Sequence, residues 1–249
     1  MAMRIVDGAR LMRTSFDLVR QDRGLLWFPV ASTCCFLLTG AFWLYEGTWL
    51  YSVHGPWVLF VPLVLLGMYS VTFVGIFFSV ALAGAANGVL DGRRASFGDG
   101  LDVAWSRLGS IAGWAAYALF VSLALSLVQR LNRWAGTAAQ IAWSFATFFV
   151  VPLIAFEGLA PGDARRRSFE LAKLNWRAES GGLGALHAAI FVPALVFFVA
   201  YKALAGGGVH SPAAQGLLGL VLAASLVVGI VAQVVRQVFA VWLYRTATS

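Results

Sequence analysis

Charge is what this chain of 249 residues lacks most: 12% of its residues are Asp, Glu, Lys or Arg, about half of the ~25% typical of a soluble domain. So little charge cannot clothe a water-exposed surface, and with 60% apolar residues a membrane protein is expected. Cysteine is confined to Cys34 and Cys35. Neighbouring helical positions diverge by about 100°, which makes the pair a poor metal site. They read as small packing residues, and Ala31-Ser32-Thr33-Cys34 is a poor match to a lipid-attachment box. The three histidines, His54, His187 and His210, are far apart. No phosphate-binding loop, HExxH, GxSxG, CxxC or dinucleotide glycine fingerprint occurs. An enzyme is therefore not expected, nor a cofactor, nor a bound metal.

Six segments carry no Asp, Glu, Lys or Arg: 24–45, 47–90, 108–129, 134–156, 180–201 and 203–235. A helix needs about 20 residues to cross a bilayer, so four of these suit one crossing each. His54, Gly55 and Pro56 interrupt the second segment near its start, and Gly206, Gly207, Gly208, His210 and Pro212 open the last. The expected fold is a single all-α membrane domain over 1–249, crossing at about 25–45, 57–89, 108–128, 138–156, 183–204 and 213–235. The first crossing reads as an uncleaved helix, since it follows an arginine-rich stretch and is long enough to span.

Lys and Arg near the ends of these segments divide 15 to 3 between alternate loops. Positive loops stay cytoplasmic, so both termini are expected inside. Arginine outnumbers lysine 16 to 2 beside abundant Ala and Gly, a hint of a GC-rich bacterial genome and hence of the bacterial cytoplasmic membrane. The net charge of +7 sits at helix ends rather than on one continuous surface, which favours anionic lipid headgroups over nucleic acid.

Amphipathic stretches at about 4–22, 96–107 and 163–177 precede the first, third and fifth crossings and read as cytoplasmic in-plane helices. Arg10, Arg13 and Arg20 in the first, with Arg165, Arg166 and Arg167 in the third, are the candidate headgroup contacts. Ser96 and Asp99 have capping-box spacing, and Asp163 is placed to cap after Pro161 and Gly162. The three stretches share Ser15-Phe16-Asp17, Ser96-Phe97-Gly98 and Ser168-Phe169-Glu170, which raises a three-fold repeat of parallel hairpins as a possible design.

The run Gly92-Arg93-Arg94-Ala95-Ser96-Phe97-Gly98-Asp99-Gly100-Leu101, its continuation Ala104-x-x-Arg107-Leu108, and Phe149-Val150-Val151-Pro152 through Glu157-Gly158 to Arg167-Ser168 resemble an uncharacterised bacterial family of six-helix integral membrane proteins. That family is similar in style to the membrane domain attached to some glycerophosphodiester phosphodiesterases. The resemblance covers about residues 10–245 and implies a fold without an activity. These residues hold nothing like the phosphodiesterase domain, so its chemistry is not carried over.

Two polar groups remain. On the third crossing Ser122, Ser126 and Gln129 recur at i, i+4 and i+7, and on the fourth Gln140, Ser144 and Thr147 do the same. As one hairpin, the two stripes either face each other or line a polar cavity below Arg130 and Arg133; ordinary interhelical hydrogen bonding is the plainer reading. Near the cytoplasmic surface Asn87, Glu157, His187, Gln233 and Arg236 match in depth, with Glu157 expected to pair with Arg236 or His187. Small pairs at Gly75–Ser79, Gly109–Gly113, Gly184–Ala188 and Gly219–Ala223 invite close helix approach. Two function classes fit. The stripes favour a channel or transporter-like conduit for a small solute or ion, working as a homo-oligomer because unbroken helices leave little path within one subunit. The alternative is a non-transporting scaffold that organises lipids or a partner protein.

Overall fold

The computed structural model describes residues 5–174 and 212–248, which are helical between short turns, with no strand among them. Helix α1 (Ile5–Gln21) leads through a 3-10 turn to α2 (Trp27–Ser52), and a turn at His54, Gly55 and Pro56 returns the chain along α3 (Phe60–Leu90). The short α4 (Phe97–Ser106) precedes α5 (Leu108–Leu131), followed by α6 (Arg133–Ala146) and α7 (Val150–Glu157). Helix α8 occupies 161–174, and α9 is Pro212–Thr248. Five segments are long and apolar enough to cross a membrane: Arg23–Ser52, Trp57–Leu90, Leu108–Leu131, Arg133–Glu157 and Val227–Thr248. The expected crossing at 183–204, with His187 and the Gly184–Ala188 pair, lies outside the described residues.

Side chains set several helix ends. Ser96 Oγ accepts from the Asp99 amide at 3.2 Å, the first half of a capping box. Asn132 Oδ1 accepts from the amides of Trp134 and Ala135, so a single residue turns α5 into α6. Asp22 serves two elements: Oδ1 caps the 3-10 turn at Gly24, and Oδ2 accepts from the Ala95 amide just before α4.

Helix α3 is the hub, packing against α2, α4, α5, α7 and α9. The core gathers at one end of the bundle, built from Phe28, the stretch Val80 to Ala86, Ile111, the stretch Phe149 to Ile154, and α9 from Val234 to Leu243. Close approaches are made at Gly84, Gly100 and Gly136. A Cβ on Gly100 would strike the Ala81 carbonyl and the Phe28 ring, and one on Gly136 would overlap the Gln129 backbone. At Gly75 and Gly109 the same test meets open space, while at Gly113 it meets Pro161.

Three local expectations are corrected. The crossing expected as an unbroken helix over 138–156 is interrupted at Thr147, Phe148 and Phe149, which form a turn between α6 and α7. Pro152 is the physical reason. Lacking an amide hydrogen, it sits in the first turn of α7, where no intrahelical donor is needed. The last helix extends past the crossing expected over 213–235 and runs on to Thr248, with Val227–Thr248 as a segment long and apolar enough to cross. Finally, helix α8 starts at 161, with the Ala164 amide bonded to the Ala160 carbonyl. Asp163 therefore falls within the first turn, and Pro161 takes the initiating position.

The shared serines also differ in setting. Ser15 and Ser168 are buried in mid-helix, whereas Ser96 is a cap. Those letters do not mark one structural position in all three stretches.

Candidate functional site

The packed end carries most of the polar chemistry. Helix α7 ends at Gly158 in a left-handed conformation (φ +64°), the conformation in which glycine avoids a Cβ clash. Arg107, at the junction of α4 and α5, points its guanidinium at the last carbonyls of α7, with Nε 3.4 Å from Ala155 O and Nη2 3.4 Å from Phe156 O. A cation on the negative end of a helix dipole is stabilising. Ser110 Oγ donates to Gly158 O at 2.9 Å, so the start of α5 holds the end of α7 at three carbonyls.

Glu157 accepts a hydrogen bond of 2.7 Å from the Tyr244 hydroxyl. Of the two partners expected for it, the Arg236 guanidinium lies 6.0 Å over the Phe148 ring, and His187 is outside the described residues. Asn87 is half-buried on α3, and Gln233 and Arg236 are exposed on α9. Asp91 binds Arg245 at 2.7 Å and Arg93 at 3.6 Å, tying the end of α3 to the end of α9. Where the α6–α7 turn frees the Phe149 amide, Ser168 Oγ of α8 accepts it at 3.1 Å, fully buried.

The short helices that carry exposed arginines pack on this same core. Arg13 and Arg20 lie on α1, which packs on α9; Arg93 and Arg94 precede α4, which packs on α3; Arg165, Arg166 and Arg167 lie on α8, anchored by Ser168. Arg10 belongs to α1 as well.

Within the polar stripes of α5 and α6, Gln129 lies at the contact between the two helices, beside Gly136, and Ser126 does not. Trp143 of α6 stacks on Trp114 at 5.9 Å and lies 6.0 Å from Tyr117, which fixes the faces the two helices share. At about 100° per residue, Ser126 lies about 180° around α5 from Tyr117, on the side away from α6. Ser122, Ser126, Gln129, Gln140 and Ser144 are all exposed, and Thr147 is half-buried. Ser126 and Thr147 donate to carbonyls of their own helices, Leu123 O at 2.7 Å and Trp143 O at 2.8 Å.

Three of the cavities among the described residues are lined by residues outside these stripes. An entirely apolar one of about 440 Å³ is framed by Cys35, Phe73, Phe77, Trp105 and Leu108. One of about 350 Å³ lies at the His54–Pro56 turn, and one of about 320 Å³ is bounded by Leu90, Trp242, Arg245 and Thr246. Among the described residues no three His, Cys, Asp or Glu side chains group as metal ligands.

Sequence reasoning missed Tyr244, Asp22, Asp91 and Ser168 as tying residues. Each is an ordinary polar residue whose partner is far away in the chain, 87 positions in the case of Glu157 and Tyr244. No curated protein and no solved structure matches the chain. A family model does match it, over residues 58–249, and the chain belongs to that family, a family of unknown function (DUF6159).

Proposed function

We propose that this protein is a non-transporting, non-catalytic membrane scaffold that gathers anionic lipid at its basic end. The observation that carries the reading is the docking of α1, α4 and α8 onto one shared core, which brings Arg13, Arg20, Arg93, Arg94 and Arg165 to Arg167 to one end of the bundle. Arginines held on a packed layer meet headgroups without the ordering cost that a loose basic tail incurs, and each adds about 1 kcal/mol near an anionic surface. The 15 to 3 division of Lys and Arg supports a cytoplasmic side for this end and both termini, and the excess of arginine over lysine supports a bacterial inner membrane.

Lipid retained after detergent extraction tests the reading. The wild-type chain should carry over anionic phospholipid in excess of its membrane share, and replacing Arg165, Arg166 and Arg167 by Gln should remove most of that excess. Equal carry-over by both proteins overturns it. The conduit reading draws support from the exposed Gln140 and Ser144, and a path built on them would run between copies rather than within one. Flux of ions or small solutes in proteoliposomes, abolished in a Gln129→Leu, Gln140→Leu variant, would favour the conduit over the scaffold.

A further inference from the structure

We propose that the contact between the end of α3 and the end of α9 is a seat for one phospholipid, whose phosphate diester is held by Arg245 and Arg93. The inference rests on the lipid-gathering reading above and names one site within it. Residue type builds the turn that shapes the seat. Gly92 takes φ +77° just after α3, its amide bonds the Val89 carbonyl, and the Arg93 amide bonds the Gly88 carbonyl, both at 3.0 Å. This is the glycine-dependent helix stop, which satisfies carbonyls left over at a helix end. It folds Arg93 back over α3, where a Cβ on Gly88 would lie 3.6 Å from the Arg93 Nη2. Asp91, within the same turn, meets Arg245 Nη1 through one oxygen at 2.7 Å and Arg93 Nη2 through the other at 3.6 Å. A single carboxylate thus gathers two guanidinium groups from helices far apart in the chain and leaves one positive charge in excess.

That excess matches a phosphate diester, which carries one negative charge. A guanidinium has five N–H donors in a fork that fits phosphate oxygens, more than one shared carboxylate can occupy. The side chains of Arg93 and Arg245 stay 65% and 42% exposed, so both remain reachable. Beside them lies the cavity of about 320 Å³ bounded by Leu90, Trp242, Arg245 and Thr246, at the small end of the roughly 300–1,000 Å³ that ligand sites span. Thr246 Oγ1 donates to Leu243 O at 2.9 Å, which leaves the charge of this lining to Arg245. Polarity is ordered along α9: Trp242 comes about 4.5 Å before Arg245 along the helix axis. Leu90 and Trp242 form the apolar part of the wall, at the depth where tryptophan marks the edge of a bilayer. A phospholipid has the same order, with glycerol and ester groups beneath the phosphate. A soluble phosphate gains nothing from the apolar wall, so the lining favours the lipid.

Counting lipids on the purified full chain by native mass spectrometry is the test, with phosphatidylglycerol as the probe. The wild-type chain should hold one copy more tightly than the rest. Arg93→Gln should weaken that copy roughly tenfold, the loss expected from one charge-assisted contact, and unchanged binding overturns the proposal. Asp91→Asn raises the excess charge from one to two and should strengthen binding. If the arginines serve only to tie α3 to α9, the same change leaves binding level or lower, and either result overturns the proposal. Circular dichroism checks that both variants keep wild-type helix content. Inorganic phosphate at the concentration of the lipid should not displace it; displacement assigns the seat to a soluble phosphate and overturns the lipid as occupant. The variant with Arg165, Arg166 and Arg167 replaced by Gln should shed the bulk of the retained lipid yet keep this copy. A bulk loss in that variant, with the tight copy surviving Arg93→Gln, sinks the seat alone. Equal bulk carry-over by that variant and the wild type sinks the scaffold reading instead.

Discussion

The two ends of the bundle solve opposite problems. At the basic end, protein covers protein: Phe28, Phe149 and Phe239 are each 0% exposed, and the helix ends are tied by Arg107, Ser110, Tyr244 and Ser168. At the other end Leu131 is 88% and Trp134 84% exposed, and the α5–α6 hairpin touches itself mainly at Gly136 and Gln129. The difference teaches where a membrane protein needs its own core. Lipid tails cover apolar side chains as well as protein does, so close packing yields most where chain reversals leave amides and carbonyls that lipid cannot satisfy.

Substitutions sharpen the contrast when read as thermal unfolding in one detergent. Phe239→Ala empties a fully buried site on α9 and should cost about 3 kcal/mol, in the range of large cavity-forming changes. Ser168→Ala strands the buried Phe149 amide and should cost about 1–3 kcal/mol. Tyr244→Phe removes a hydrogen bond to an exposed carboxylate, and a loss of about 1 kcal/mol is expected. Leu131→Ala, at the open end, should stay within about 0.5 kcal/mol of wild type. A Leu131→Ala loss as large as that of Phe239→Ala would break the comparison, because the open end would then hold a core of its own.

Elements with local causes were legible in the sequence. The turn at His54, Gly55 and Pro56 follows from residue type, and the α4 cap follows from the Ser96–Asp99 spacing. The break before α7 had a signal in Pro152, overridden by an apolar run that continues straight through it. Partners were not legible. Depth matched Glu157 with Arg236 and His187, but helix rotation decides which neighbours a side chain meets, and it also brings Tyr244 to Glu157. For the polar stripes, spacing puts three residues on one face, and the aromatic seam of Trp114, Tyr117 and Trp143 turns Ser126 away from α6 while Gln129 stays at the contact beside Gly136. The family match over residues 58–249 supplies membership and no chemistry.

The carboxylate of Asp22, shared between Gly24 and Ala95, also orders events in time. Its two acceptor oxygens serve amides on elements 73 residues apart for the more distant partner. At about 5–20 residues per second, the first hairpin waits roughly 4–15 s after Asp22 is made before Ala95 exists. During that interval Asp22 relies on water or on the insertion machinery for its second partner. The bond between Asp22 and Ala95 is thus a late clasp, closing the first two helices onto the third only once α4 has begun to emerge.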